Sequence, residues 1–286
     1  MKTSTRLKLG HLIFDFTLEQ AEDQWGFERA YGAFLTQAEP QVHLAVHHTA
    51  LPDLSNWELV FDSGGLWSLW RNGAQRALRM RSPMARPPIY QVAILDESFT
   101  RGEIYAAPLA SGQYNFPFEH ILAEVLAVQL LARGRGALLH ACALQDGPHG
   151  RIFVGNSGAG KSTIAGMWAS LPDVHMFTDD RVIIQKQGGE YVIHGTPWHG
   201  TAQYASPGSA PLQQIHILQQ TPQNQARRLP PAQAAAQLMV RAFTTPWDSQ
   251  GTAFTLDFLA ELAGQVPCFE LGFTPQPEVV EFVRCL

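Results

Sequence analysis

The residues Gly155-Asn156-Ser157-Gly158-Ala159-Gly160-Lys161-Ser162-Thr163 satisfy the pattern G-x-x-x-x-G-K-[ST], the Walker A signature. Glycines at these spacings let the main chain curl until successive N–H groups point inward. A helix that starts at the lysine adds the partial positive charge of its N-terminus, and together they make a nest for phosphate oxygens. In that chemistry Lys161 reaches the β- and γ-phosphates and the Ser162 hydroxyl ligates Mg²⁺. Bare phosphate binding names no reaction, so the groups within reach of the terminal phosphate matter next. Asp179 and Asp180 follow a strand-like run, 174–177. A carboxylate at the end of a strand beside a glycine loop can hold Mg²⁺ or take a proton. One aspartate is enough for a metal. Two allow one to hold Mg²⁺, directly or through water, while the other accepts the proton of an attacking hydroxyl. The ordinary alternative for such a pair is an acidic turn or a helix cap.

Positioning these groups requires a strand into the loop and a helix out of it, and the pattern of the chain supplies both. Residues 151–154 read as a strand and 161–169 as a helix. Around them the sequence predicts strands at 137–144, 174–177, 182–185, 191–194 and 215–218, and closing helices at 231–243, 256–263 and 277–283. Strands alternating with helices imply an α/β layer. The first part of the chain is different. Short apolar or alternating runs at 12–16, 42–46, 57–61, 66–70 and 89–95, separated by turn-rich pieces, predict a small β-rich N-terminal domain over 1–115. Trp57, Trp67 and Trp70 are expected to fill its core between sheet faces. Helical spacing then runs from about 117 to 133, a linking helix at the start of a second domain over 116–286.

Composition excludes several classes. Lysine and arginine number 20 against 25 aspartates and glutamates, for a net charge of −5. Only Lys2, Lys8, Lys161 and Lys186 represent lysine, which argues against a nucleic-acid surface built from clustered cations. Cys142, Cys268 and Cys285 are too scattered for a disulfide framework and none stands in a CxxC pair, which fits a reducing, cytoplasmic setting. The N-terminal apolar run is interrupted by His11 and Asp15 and does not read as a signal peptide. No apolar stretch is long enough to span a membrane. Among the 11 histidines, neither the adjacent His47-His48 nor His194 and His199 has the helical i, i+4 spacing of a zinc pair.

His140 in Leu138-Leu139-His140-Ala141, the glycine loop at 155–162 and Asp179-Asp180 together resemble the catalytic domain of HPr kinase/phosphorylase, whose core is also similar to that of phosphoenolpyruvate carboxykinase. The resemblance covers roughly 135–200. It implies a P-loop kinase fold using ATP and Mg²⁺, with His140 and Asp179 serving phosphoryl transfer and Asp180 and Ser162 near the metal. Further on, Gly195-Thr196-Pro197-Trp198-His199-Gly200, Pro211-Leu212 and Arg227-Arg228-Leu229 look like a branch found beside peptide-modifying enzymes, lasso-peptide clusters included. That likeness implies a serine of a peptide or small protein as acceptor, and the wider family implies a homo-oligomer. The Glu-x-Arg-Gly-x-Gly type segment of HPr kinases is absent, so neither reverse phosphorolysis nor HPr as substrate is implied. The His-Arg-Asp and Asp-Phe-Gly motifs of eukaryotic-type protein kinases are absent too.

The sequence therefore predicts catalytic roles for Asp179, His140 and Lys161, nucleotide contacts from Gly155 to Thr163, and Mg²⁺ ligation by Ser162, Asp180 and Asp179. His140 by itself reads equally as a buried strand histidine. The 195–200 segment either wraps over the nucleotide or acceptor or is a turn with a packed indole. Arg227, Arg228 and Arg241 are either charge neutralisers at the transferred group or solvated. Two other functions stay open: a nucleotide-gated binding module without phosphotransfer, and a small-molecule kinase, for instance one acting on free serine.

Overall fold

The computed structural model describes residues 3–18, 29–82, 88–108, 116–118 and 121–286. The chain is a mixed α/β protein that divides into two compact units, Met1–Leu130 and Leu131–Leu286. Unit 1 holds strands β1 (Thr3–Leu9), β2 (Leu12–Leu18), β3 (Val42–His47), β4 (Glu58–Asp62), β5 (Trp67–Asn72), β6 (Gln75–Arg81), β7 (Ile89–Leu95) and β8 (Arg101–Ala106). They form one sheet in the order β1-β2-β3-β8-β7-β6-β5-β4, with β3 parallel to both neighbours and the rest antiparallel. A short helix, α1 (Arg29–Gly32), and α2 (Ile121–Leu131) complete the elements of this part of the chain. Helix α2 carries apolar residues on every side and is buried except at the half-buried Ile121 and Glu124, so it is not amphipathic.

Phe116 and Phe118, which the sequence pattern assigns to the second domain, belong to the core of unit 1: Phe118 sits 4.6 Å from Phe14 and 4.7 Å from Phe16, and Phe116 lies 5.7 Å from Phe16 (ring centroids). Residues 119–120 of the expected linking helix lie outside the described residues. Trp57, Trp67 and Trp70 are half-buried on the sheet instead of filling a core between two faces. The Arg79 guanidinium stacks 4.5 Å over the Trp70 ring and covers its outer side.

Unit 2 contains β9 (Ala137–Asp146), β10 (His149–Val154), α3 (Lys161–Ala169), β11 (Val174–Thr178), β12 (Arg181–Gln187), β13 (Glu190–His194), β14 (Ser209–Gln220), β15 (Gln225–Arg228), α4 (Pro231–Met239), β16 (Ala242–Phe243), α5 (Ser249–Gln265), β17 (Cys268–Phe273) and α6 (Glu278–Arg284). Its main sheet runs β10-β9-β12-β13-β14-β17-β15, and β14 also pairs in parallel with β10, so the sheet closes a circuit. Strands β10, β14 and β17 are mutually parallel and their carboxyl ends face the same way. The central strands are apolar on both faces because both are covered. Leu139, Ala141, Ala143, Ile152 and Val154 pack toward α4 and α5. Cys142, Leu144 and Phe153 pack toward α3 and α6, around a fully buried Trp168. The expected helix 231–243 stops at Met239, because Ala242 and Phe243 pair with Leu139 and Leu138 of β9 instead. The helix expected at 256–263 starts earlier, at Ser249, where the Asp248 side chain caps it by accepting from the Gln250 and Gly251 amides.

One buried group makes this core sensitive to acid. His216 on β14 is fully buried between Phe153, 5.0 Å away, and Phe269, 5.8 Å away, and neither ring nitrogen has a hydrogen-bond partner among the described residues. Burial pushes its pKa from 6.5 down to about 3, with Arg151 adding repulsion. The folded chain keeps this ring neutral while the unfolded chain protonates it. Stability is therefore intact above pH 6.5 and falls as pH drops from there toward 3, by about 1.4 kcal/mol per pH unit. His216→Phe is expected to flatten the decline of Tm between pH 6.5 and about pH 4. A decline parallel to that of the parent chain would exclude His216 as its source.

Candidate active site

The glycine loop leaves the end of β10 and enters α3 beside the carboxyl ends of β14 and β17, the usual ligand crevice of parallel strands. Those two strands hold the loop in place. Gln220 Nε2 donates to the Gly158 carbonyl at 2.7 Å, and the Phe273 ring packs on Gly160. Gly160 has φ +103, and a Cβ there would meet Phe273 at 2.6 Å, so conformation and space both demand glycine. No side chain caps α3, which is what a helix N-terminus needs if an anion is to take its first-turn amides. Lys161 folds back over the loop and donates to the carbonyls of Gly155 at 2.8 Å and Asn156 at 3.2 Å. Burial depresses its pKa, with Arg241 adding repulsion and Asp180 opposing both.

The acid pair sits in the turn between β11 and β12, which is built by a threonine. Thr178 is fully buried; its hydroxyl accepts from the amides of Asp180 (3.1 Å) and Arg181 (3.2 Å) and donates to the Trp198 carbonyl (2.9 Å). This turn points the two carboxylates to different tasks. Asp179 is only 2% exposed. Its Oδ1 accepts from the amides of Gly200 (2.8 Å) and Tyr204 (3.2 Å), and its Oδ2 from that of Ala202 (2.8 Å). Asp180 instead meets side chains: Oδ1 lies 3.1 Å from His140 Nδ1 and Oδ2 pairs with Arg181. Burial raises the Asp180 pKa, but the hydrogen bond from His140 and the charges of Arg181 and Lys161 outweigh it, and the net shift is downward.

The two carboxylates therefore stand in different surroundings. Asp179 was the expected base, yet its oxygens are committed to three amides of the 200–204 segment. The carboxylate in the field of Lys161 is Asp180. His140, on β9, joins the site: its Nδ1 approaches both the Asp180 carboxylate and, at 2.9 Å, the Asp180 main-chain carbonyl. Both partners are acceptors, which assigns the hydrogen to Nδ1 and leaves the lone pair on Nε2. Of the three arginines, Arg241 reaches the loop: Nη2 donates to Asn156 Oδ1 (3.1 Å), and Nη1 is held by the carbonyl (2.8 Å) and side-chain oxygen (2.8 Å) of Gln237. Arg227 pairs with Glu270 and Arg228 is exposed on β15.

The segment 195–208 closes on itself through Gly195 N–H to the Gly208 carbonyl (3.1 Å), as an Ω-loop does. Trp198 in it is buried, as the packed-indole reading expects. The segment also reaches the glycine loop, because Thr201 Oγ1 lies 3.1 Å from Ser162 Oγ. Sequence reasoning passed over Thr178 and Thr201, and named Thr196 only as part of the 195–200 segment. A threonine directly before two aspartates is a recognisable turn signal, whereas nothing local marks Thr196, which donates to the Arg181 carbonyl at 2.6 Å, or Thr201.

No family model matches this chain. No curated protein matches it either. Among solved structures it is similar to the HPr(Ser) kinase/phosphatase from Coxiella burnetii, with a TM-score of 0.30 and 12% sequence identity over 52% of this chain and 88% of that one. At that score the superposition bears on neither substrate nor mechanism. Among the described residues no cluster of three or more His, Cys, Asp or Glu forms a metal cage, and no helix is long and apolar enough to cross a membrane.

The Asp179 clamp has a measurable consequence. An amide at this position offers one acceptor oxygen where the carboxylate has two, so Asp179→Asn is expected to leave a part-buried N–H unsatisfied and to destabilise the chain by about 1 kcal/mol. Hydrogen exchange at the Gly200, Ala202 and Tyr204 amides should accelerate in the same variant. Unchanged exchange at all three would show that the clamp does not hold the segment.

Proposed function

We propose that the chain is an ATP- and Mg²⁺-dependent kinase that transfers the γ-phosphoryl group to a hydroxyl, the acceptor being a serine of a peptide or small protein. The observation that carries this reading is Lys161. It is a buried lysine, 8% exposed, at the mouth of a glycine loop, with a His-Asp pair in its electrostatic reach. A bare phosphate-binding switch has no need of such a pair. The residues also fit a phosphate chain and its metal: an uncapped helix N-terminus, Lys161 and Arg241 supply positive charge, and Ser162 supplies the hydroxyl ligand. When bound, Mg²⁺ would neutralise charge on the phosphates.

In this reading His140 Nε2 takes the proton from the acceptor hydroxyl. Asp180 keeps the ring oriented and favours the imidazolium that forms, as the carboxylate of a catalytic triad does. Lys161 and Arg241 stabilise charge on the phosphoryl oxygens. Asp179 acts on the main chain around residues 200–204 and not on the reacting atoms. The serine acceptor rests on the resemblance carried by residues 135–200 and the 195–200 and 227–229 segments, and the cytoplasmic setting on cysteine usage.

Transfer of labelled phosphate from ATP to candidate peptides and to free serine tests the proposal. His140→Gln is expected to lower turnover by about 10²- to 10⁴-fold with nucleotide affinity little changed, the signature of a lost general base. Lys161→Ala should lose both nucleotide affinity and turnover, and wild-type behaviour of that variant would refute the reading. Partner binding that depends on nucleotide, without label on any acceptor, would replace the kinase by a nucleotide-gated module.

A further inference from the structure

We infer, resting on the kinase reading above, that Thr201 is a second protein ligand of the Mg²⁺ ion and that the 195–208 loop is a strap through which the metal is sensed. Ser162 occupies the position whose hydroxyl ligates Mg²⁺ in a Walker A loop. The Thr201 hydroxyl, far away in sequence, is 3.1 Å from it. Mg²⁺ holds oxygens octahedrally at about 2.0–2.1 Å, so adjacent ligands on one ion stand roughly 2.9 Å apart. The two hydroxyls already have close to that spacing.

The neighbouring carboxylates do not compete for the role. Both oxygens of Asp179 accept main-chain amides, and those of Asp180 are engaged by His140 and Arg181. Thr201, by contrast, is exposed, and the loop is built to present it. The amides that Asp179 receives belong to residues on both sides of it, Gly200, Ala202 and Tyr204. At Gly200 a Cβ would meet Asp179 Oδ2 at 2.9 Å, so the segment lies directly on the carboxylate that holds it. Gln203, two residues after Thr201, has φ +60, a conformation non-glycine residues seldom adopt. A short, clamped and locally strained segment that ends on a metal ligand is the kind of element that orders or releases with its ion.

Binding measurements on the full chain decide this without any turnover. Wild type, Thr201→Val and Thr201→Ser are titrated calorimetrically with MnCl₂ and MgCl₂ in the presence of a non-hydrolysable ATP analogue, and with the analogue alone in excess EDTA. Valine removes the oxygen at nearly constant volume and is expected to weaken metal binding roughly tenfold or more, the scale of losses at metal sites. Serine should stay within a few-fold of wild type, and all three should bind the metal-free analogue equally. Metal should also protect the Gly200 and Ala202 amides from exchange in wild type and not in Thr201→Val. Equal metal affinity for valine and wild type overturns the inference and leaves the kinase reading standing. Loss of metal-free analogue binding in Thr201→Val overturns it as well, because the threonine would then be structural. Absence of any nucleotide binding by wild type would instead remove the kinase reading on which it rests.

Discussion

A buried carboxylate that receives three main-chain N–H groups governs the geometry of this site. Asp179 is almost wholly withdrawn from water, and a charge in such a place is tolerated only when its lone pairs are matched by donors. The 200–204 segment provides those donors. Because the same turn also carries Asp180, fixing one carboxylate fixes the other. Thr178 completes the arrangement by capping the turn and tying it to the Trp198 carbonyl.

From that constraint the charge pattern around the glycine loop follows. Asp180 is left to face His140, Arg181 and the field of Lys161, and their combined pull exceeds the cost of its burial. Lys161 is held by loop carbonyls, and Arg241 by Asn156 and Gln237. Cations held in place in this way need little reorganisation when they meet negative charge. The β9 strand links the parts: it carries His140, pairs with β10 ahead of the loop, and pairs with β11 and β12 on either side of the acid turn.

The scaffold beneath is conventional in its physics and specific in one respect. Strands β9 and β10 are apolar on both faces because helices α4 and α5 cover one side and α3 and α6 the other. On β9 and β10 this layering leaves Asp146 needing compensation, which Arg284 of α6 supplies through two hydrogen bonds, at 2.7 and 3.1 Å. His216 is the opposite case, a polar ring placed among aromatics with no such partner and kept neutral by its surroundings.

Much of this was legible in the linear chain. The glycine loop, the strand before it and the helix after it follow from glycine spacing and local periodicity, both of which act over a few residues. The α/β character of the second part and the strand-rich first part are visible for the same reason. Helix ends were less legible: Met239 ends α4 because β9 recruits Ala242 and Phe243, and α5 begins at Ser249 because Asp248 caps it. Division of labour between Asp179 and Asp180 could not be read from two identical side chains standing side by side. It is decided by which of them the turn aims at the amides of residues 200–204 and which at His140, and both partners come from elsewhere in the chain. The hydroxyl of Thr201 beside Ser162 is of the same kind, since sequence reports chemistry and local conformation, whereas proximity between distant segments exists only once hydrogen bonds and packing have folded the loop back.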